Sequence, residues 1–205
     1  MSPGVSPSLS YPPLRLADTD WLHHRLTIGG PVETVAAFAA AARGAGTIPW
    51  SLDRERMEED LFHRLVAPPP PQTRSLSLEG ARALARQLAE ASVARHEAAL
   101  ARVGISQACP FDLHALLPVP PDILRLEPDD PEALAWLWAC WGTTDALRHV
   151  AVEPAPVLRV PLPADIAEVR YSFWSADWTP WRALAVLRER WPTLRFEVRP
   201  TYGLL

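Results

Sequence analysis

The chain has no lysine and no asparagine, and all 20 of its basic residues are arginine, set against 24 Asp and Glu. Arginine on this scale, beside abundant Ala and Pro, reads as GC-rich coding bias before it reads as a binding device. A formal charge of −4 and an isoelectric point near 5.9 remove the global basic field that drives non-specific attachment to a phosphate polymer. Cysteine is scarce. Cys109 and Cys140 stand alone, without CxxC spacing or further thiols to complete a zinc site, so buried, reduced thiols are expected. No segment reaches the ~18–20 unbroken apolar residues of a spanning helix. The opening MSPGVSPSLSYPP lacks the basic and apolar regions of a secretory signal. A cytoplasmic protein with no membrane partner is the expectation. Catalytic signatures are missing as well: there is no G-x-S-x-G, H-E-x-x-H, P-loop or G-x-G-x-x-G element, and neither a metal nor a cofactor is expected.

What is present suits one domain with an elaboration, since 205 residues at 48% apolar content can build one sizeable core. Residues 1–19, rich in Pro and Ser, are expected to form a disordered tail, with a single domain over 20–205. From Trp21 the chain alternates, Leu22, His24, Leu26 and Ile28 on one face and His23, Arg25 and Thr27 on the other, which predicts a half-buried strand. Gly29-Gly30-Pro31 should break it and open a helix over Val32–Arg43, with Val32, Val35, Phe38 and Ala39 at helical spacing and Gly44 as its stop.

A large helical insertion, about 50–135, is expected next. Its first helix spans Asp53–Val66 with Met57, Leu61, Phe62, Leu65 and Val66 on one stripe, ended by Pro68–Pro71. The second runs from near Ser77 to Val103, with Leu84, Leu88 and Leu100 inward and Arg86 paired to Glu90 at i,i+4. Phe111–Pro121 is too rich in proline for a central strand and is read as a packed, extended connection. Asp130-Pro131-Glu132 announces a third helix ending at Gly142. Strands are then predicted at Leu147–Val152 and Val169–Trp174, a helix over Trp181–Trp191, and an edge strand in which Leu194, Phe196 and Val198 alternate with Arg195, Glu197 and Arg199. The order βα, insertion, ββαβ is that of an α+β ferredoxin-like split βαβ sandwich, a four-stranded antiparallel sheet covered by helices on one face.

Four stretches in order resemble the YubB-like ferredoxin-fold family of phage- and plasmid-borne proteins, whose function is unknown. They are Leu26–Pro31 before a helix, Phe111-Asp112 with Leu116–Pro120, Trp141-Gly142-Thr143-Thr144-Asp145, and Trp174–Pro180 leading through Trp191–Phe196 to Tyr202. Thr144 and Asp145 stand where that family's pattern has a basic residue and a Trp. The resemblance implies the fold and an origin in a mobile genetic element.

No constellation in the sequence is catalytic. His23 and His24 are consecutive on a strand, so their rings point to opposite faces and cannot share a metal. Seven of the nine tryptophans fall between Trp136 and Trp191, readable as an aromatic mini-core or as a partner surface. Residues 50–135 hold 9 Arg and 14 Asp plus Glu, a net of −5, so the acidity belongs to the insertion. The leading expectation is a non-enzymatic interaction protein of a mobile genetic element, an inhibitor or accessory factor that contacts a host defence or nucleic-acid-handling complex. Its partner-binding residues would be Trp138, Trp141, Trp174, Asp177 and Trp178 with Glu58, Glu59 and Asp60. The alternative is a single-stranded nucleic-acid (RNA) binding module. In it His23, Arg25, Arg170, Trp174, Arg195 and Arg199 share the open sheet face, arginine interleaved with an aromatic. A weaker alternative makes His23 the base of an RNA-cleaving enzyme. The oligomeric state is left open.

Overall fold

The computed structural model describes residues 19–66, 76–154 and 163–201. Apart from Thr19, the expected tail over residues 1–19 lies outside them, as do Pro68–Pro71 and Tyr202. The elements run β1 (Trp21–Pro31), α1 (Val32–Ala41), α2 (Arg54–Val66), α3 (Leu78–Leu100), α4 (Leu113–Leu116), α5 (Pro121–Leu124), α6 (Pro131–Cys140), β2 (Arg148–Val152), β3 (Ile166–Ala176), α7 (Trp181–Arg190) and β4 (Arg195–Thr201). The sheet has four strands in the order β2-β3-β1-β4, every neighbouring pair antiparallel. With α1 following β1 and α7 joining β3 to β4, the architecture is the ferredoxin-like α+β fold.

Strand alternation produces the core. Leu26 and Ile28 of β1, Tyr171 and Phe173 of β3 and Phe196 of β4 are buried together on one face of the sheet. Phe38 of α1 meets Phe196 and Trp191 edge-on, both at 5.5 Å between ring centroids, and Phe111 stacks on Tyr171 at 5.2 Å. Phe111 belongs to the Phe111–Pro121 connection, which is packed as expected. It is not extended throughout, because it folds into the single turns α4 and α5 and sends Leu113, Leu116, Leu117, Val119 and Ile123 into the same core. Asp112 accounts for the first turn: its carboxylate accepts the His114 N–H at 2.8 Å as an N-cap. Ala133, Leu137 and Trp141, in and just after α6, join that core too. Among the described residues, those of the α2–α3 hairpin send no side chain into this core.

That hairpin departs from expectation in its charges. Arg86 and Glu90 do not pair within α3; Arg86 reaches Glu58 (3.6 Å) and Glu90 reaches Arg54 (2.6 Å), both on α2, while Arg82 binds Glu59. Pairing across the hairpin wins because α3 turns Ala81, Ala85 and Ala89 inward, and these small residues let α2 approach closely enough for the flanking charges to meet. Leu88 is exposed for the same reason. Val32, placed at the very start of α1, is exposed as well, and Val35 and Phe38 make that helix's buried face.

Gly29, Gly30 and Pro31 do not break β1, which stays paired to Glu168, Ala167 and Ile166 through them. Gly44 is not the helix stop either; it forms a bridge with Cys109. Gly30 is required by close approach: a Cβ there would sit 2.7 Å from Leu194 Cδ2 and 2.9 Å from the Thr193 carbonyl oxygen, whereas at Gly29 its nearest neighbour would be the Ala167 carbonyl at 3.8 Å. Gly30→Ala is therefore expected to cost about 2 kcal/mol through overpacking. Gly29→Ala should be neutral or slightly stabilising, because it narrows the unfolded ensemble. Thermal melts of the two variants check this, and equal melting temperatures would contradict it.

Candidate functional site

Two of the stretches singled out in the sequence, Trp141–Asp145 and Trp174–Pro180, meet in space around a buried polar cluster. His24 is fully buried at the end of the core face. Its Nδ1 lies 2.8 Å from the Leu22 carbonyl, which can only accept, so Nδ1 carries the proton and donates it. Nε2 is then the acceptor for the Thr179 hydroxyl at 2.7 Å. Ser175 packs its Oγ against the same ring and donates to the Trp178 carbonyl at 2.6 Å. Burial lowers the His24 pKa to about 4, opposed in part by the Leu22 hydrogen bond. The ring is a neutral structural link.

Asp177, buried and with φ of 61°, occupies the left-handed region that Asp tolerates. Its carboxylate accepts the Asp20 N–H (3.0 Å) and the Thr144 hydroxyl. Thr143 donates to the Ala176 carbonyl at 2.8 Å. Gly142 has φ of 79°, closes α6 through the Leu137 carbonyl, and lies where a Cβ would press on the backbone nitrogens of Trp181 and Arg182. Asp145 binds Arg148 at 2.9 Å.

The anticipated partner surface is therefore divided. Trp141 has no exposed surface; it lies in the core with its indole N–H donating to the Leu117 carbonyl at 3.1 Å, so it cannot meet a partner. Asp177 is committed to the turn. Trp174 lies on the opposite, outer face of the sheet. Trp138 and Trp178 do come together, ring centroids 6.5 Å apart and tilted 61°. Beside them in the chain is Trp181, which the sequence-based site omitted. A helical wheel centred on the buried Leu184 and Leu187 places Trp181 on the flank and was the available signal. Trp178 and Trp181 are 48% and 44% exposed, the only exposed Phe, Tyr or Trp among the described residues. The acidic trio is also divided: Glu58 and Glu59 are held by Arg86 and Arg82, and Arg82 keeps the Glu59 carboxyl below its ordinary range. Asp60 lines a shallow pocket with Arg64 and Met57.

The sheet's outer face brings the anticipated residues together. His23 faces Trp174, Arg25 faces Ser172 and Arg199, Thr27 faces Arg170, and Gly29 faces Arg195. The His23 and Trp174 rings lie 5.2 Å apart. The arginines, however, meet carboxylates: Arg25–Glu153 and Arg170–Glu168 at 3.0 Å, and Arg199–Glu197. Glu168 with Arg170 and Glu197 with Arg199 are two apart on a strand and so share a face, a relation legible in the sequence. Glu153 was not legible, because its position follows from the β-bulge between Arg148 and Ala151. Among the described residues no hydrogen bond joins His23 to a carboxylate or a second imidazole, and no group of three or more His, Cys, Asp or Glu is gathered to hold a metal. No helix among them is long and apolar enough to cross a membrane.

No protein-family model and no curated protein matches the chain. Among solved structures it is similar to the crystal structure of a protein api92 from Yersinia pseudotuberculosis, of the family model DUF1281, with a TM-score of 0.44 and 13% identity over 89% of this chain and 90% of that one.

Because His24 is held neutral, its contribution is complete above the unfolded-state value of 6.5 and is lost as pH falls from there through about 4. At about 1.4 kcal/mol per pH unit, urea unfolding should show about 2 kcal/mol less stability at pH 5 than at pH 7 from this group. His114, also lowered by burial, adds with the same sign, and Asp145, raised by burial, with the opposite sign. The comparison with His24→Gln isolates the term: the variant should be less stable at pH 7 and lose less on acidification.

Proposed function

We propose that this chain is a non-catalytic interaction module that binds a protein partner through the tryptophan platform at the entrance to α7. One observation carries the reading: Trp178 and Trp181 present large apolar surface to solvent from a loop fixed by His24, Asp177 and Thr144. Aromatic side chains on a pre-organised base lose little freedom on binding, and tryptophan is enriched among residues that dominate interface energies. Trp138 supports Trp178 from α6. The resemblance of Leu26–Pro31, Trp141–Asp145 and Trp174–Pro180 to YubB-like proteins supplies a setting, a phage- or plasmid-borne element. The partner would then be a host defence or nucleic-acid-handling complex, which the module inhibits or assists.

Tagged protein purified from its native host, beside Trp178→Ser/Trp181→Ser, tests the platform. Each tryptophan should be worth about 2 kcal/mol, so the double variant should lose its partner under conditions where the wild type retains it. An identical set of retained proteins would refute the assignment.

A second reading, single-stranded nucleic-acid binding on the sheet, is favoured by the His23–Trp174 ring pair flanked by Arg25 and Arg170. Charge limits it. Arg25, Arg170, Arg195 and Arg199 are opposed by Glu153, Glu168 and Glu197, leaving a surplus of one. Titration with labelled single strands should accordingly give weak binding with a salt slope of about one rather than about four. A steep slope that flattens in Arg25→Ala/Arg170→Ala would move the function to this face.

A further inference from the structure

Beyond the platform, α6 and α7 enclose a groove of about 460 Å³ on the helix layer. Its lining includes Trp136, Cys140, Ala185 and Val186, with Arg182 and Arg190 contributed from the two ends of α7. The volume lies within the range of binding clefts, and the lining is mainly apolar. Ala185 and Cys140 keep the floor low, so that a helix backbone can approach.

The two arginines supply the geometry. They are eight residues apart on one flank of α7, hence about 12 Å along its axis. Arg190 is fixed in place by donating to the Leu116 carbonyl at 2.8 Å. Arg182 is near enough to Cys140 for its charge to pull down the thiol pKa, which burial raises overall. A positive charge therefore stands at each end of an apolar trough. An α-helix lying along the groove repeats the same 1.5 Å rise, so carboxylates at i and i+7 or i+8 match the arginine spacing while residues i+3 and i+4 fill the floor.

We infer that this groove docks an amphipathic helix of the protein partner, one that presents two acidic residues about two turns apart on either side of its apolar anchors. The inference rests on the protein-binding reading above and names the partner's chemistry. Charge complementarity selects the partner, and the groove and the platform are contiguous along α7.

Fluorescence anisotropy with two labelled 16-residue helices tests it, one carrying Glu at i and i+8 with leucines between, the other Lys at those positions. The wild type should bind the Glu peptide at least about tenfold more tightly than the Lys peptide, and Arg182→Glu/Arg190→Glu should invert the preference. Bound Glu peptide should also slow alkylation of Cys140 by iodoacetamide. Arg182→Glu alone keeps the test valid if the double variant is unstable, since no hydrogen bond of the Arg182 side chain is found among the described residues. Absence of Glu-peptide binding at millimolar concentration, equal binding of both peptides, or an unchanged preference after charge reversal would overturn the inference. Peptide binding that survives charge reversal but is lost in Trp178→Ser/Trp181→Ser would also overturn it, assigning the contact to the platform. Loss of the captured partner in the tryptophan variant, with peptide selectivity intact, leaves the groove standing, so the two readings fail separately.

Discussion

The hydrogen bond from the Thr179 hydroxyl to His24 Nε2 joins the first strand to the loop that enters the last helix, 155 residues away in the chain. Much of the architecture depends on that closure. The Leu22 carbonyl sets the tautomer, the tautomer makes Nε2 an acceptor, and the acceptor fixes the loop from Ser175 to Thr179. With the loop fixed, Asp177 can hold its left-handed turn and receive Asp20 and Thr144, which ties the beginning of β1 and the end of α6 to the same point. A buried polar cluster is stabilising only while its members are satisfied, and burial keeps the imidazole neutral so that its two nitrogens serve one donor and one acceptor role.

This cluster gives a physical account of the stretches that look most distinctive. Thr143 and Thr144 hydrogen-bond Ala176 and Asp177, while beside them the positive-φ Gly142 closes α6, the Trp141 indole is packed against Leu117 and Asp145 binds Arg148. Their residue types are dictated by folding. The turn pushes its neighbours Trp178 and Trp181 outward, and these, with the α6–α7 groove, are the surfaces on which the proposed recognition rests. The same local chemistry thus separates a tryptophan that builds the core, Trp141, from the two that stay exposed, Trp178 and Trp181.

Electrostatics follow a comparable logic. The acidic hairpin and the arginine-bearing sheet, each suggestive when read as composition, are internally matched. Arg54, Arg82 and Arg86 answer Glu90, Glu59 and Glu58 of α2–α3, and Glu153, Glu168 and Glu197 answer Arg25, Arg170 and Arg199 of the sheet. Exposed pairs of this kind are each worth at most about 1 kcal/mol, yet together they weaken the local field on which polyanion or polycation binding depends. Arg182 differs, lying at an apolar trough on α7 rather than beside a carboxylate.

Local periodicity was sufficient for the scaffold. The alternation of Leu22, His24, Leu26 and Ile28, the cap at Asp130 and the spacing of Leu184 and Leu187 each specify an element from neighbouring residues alone, and the strand order then placed His23, Arg25 and Thr27 beside Arg170, Ser172 and Trp174 on the outer face. The persistence of β1 through Gly30 was not legible, because it depends on Leu194 lying against that glycine. Nor was the partition of the tryptophans: Trp138 and Trp141 are three residues apart on one helix, and only the packing of Phe111–Pro121 against the sheet decides which of them is covered. The glutamates that neutralise Arg25, Arg54, Arg82 and Arg86 come from other elements, at distances that composition cannot express. By itself the amino-acid sequence determined which segments become helix and strand, since that follows from local pattern; tertiary structure decided which side chains remain available to a partner, since exposure is settled by what packs from elsewhere in the chain.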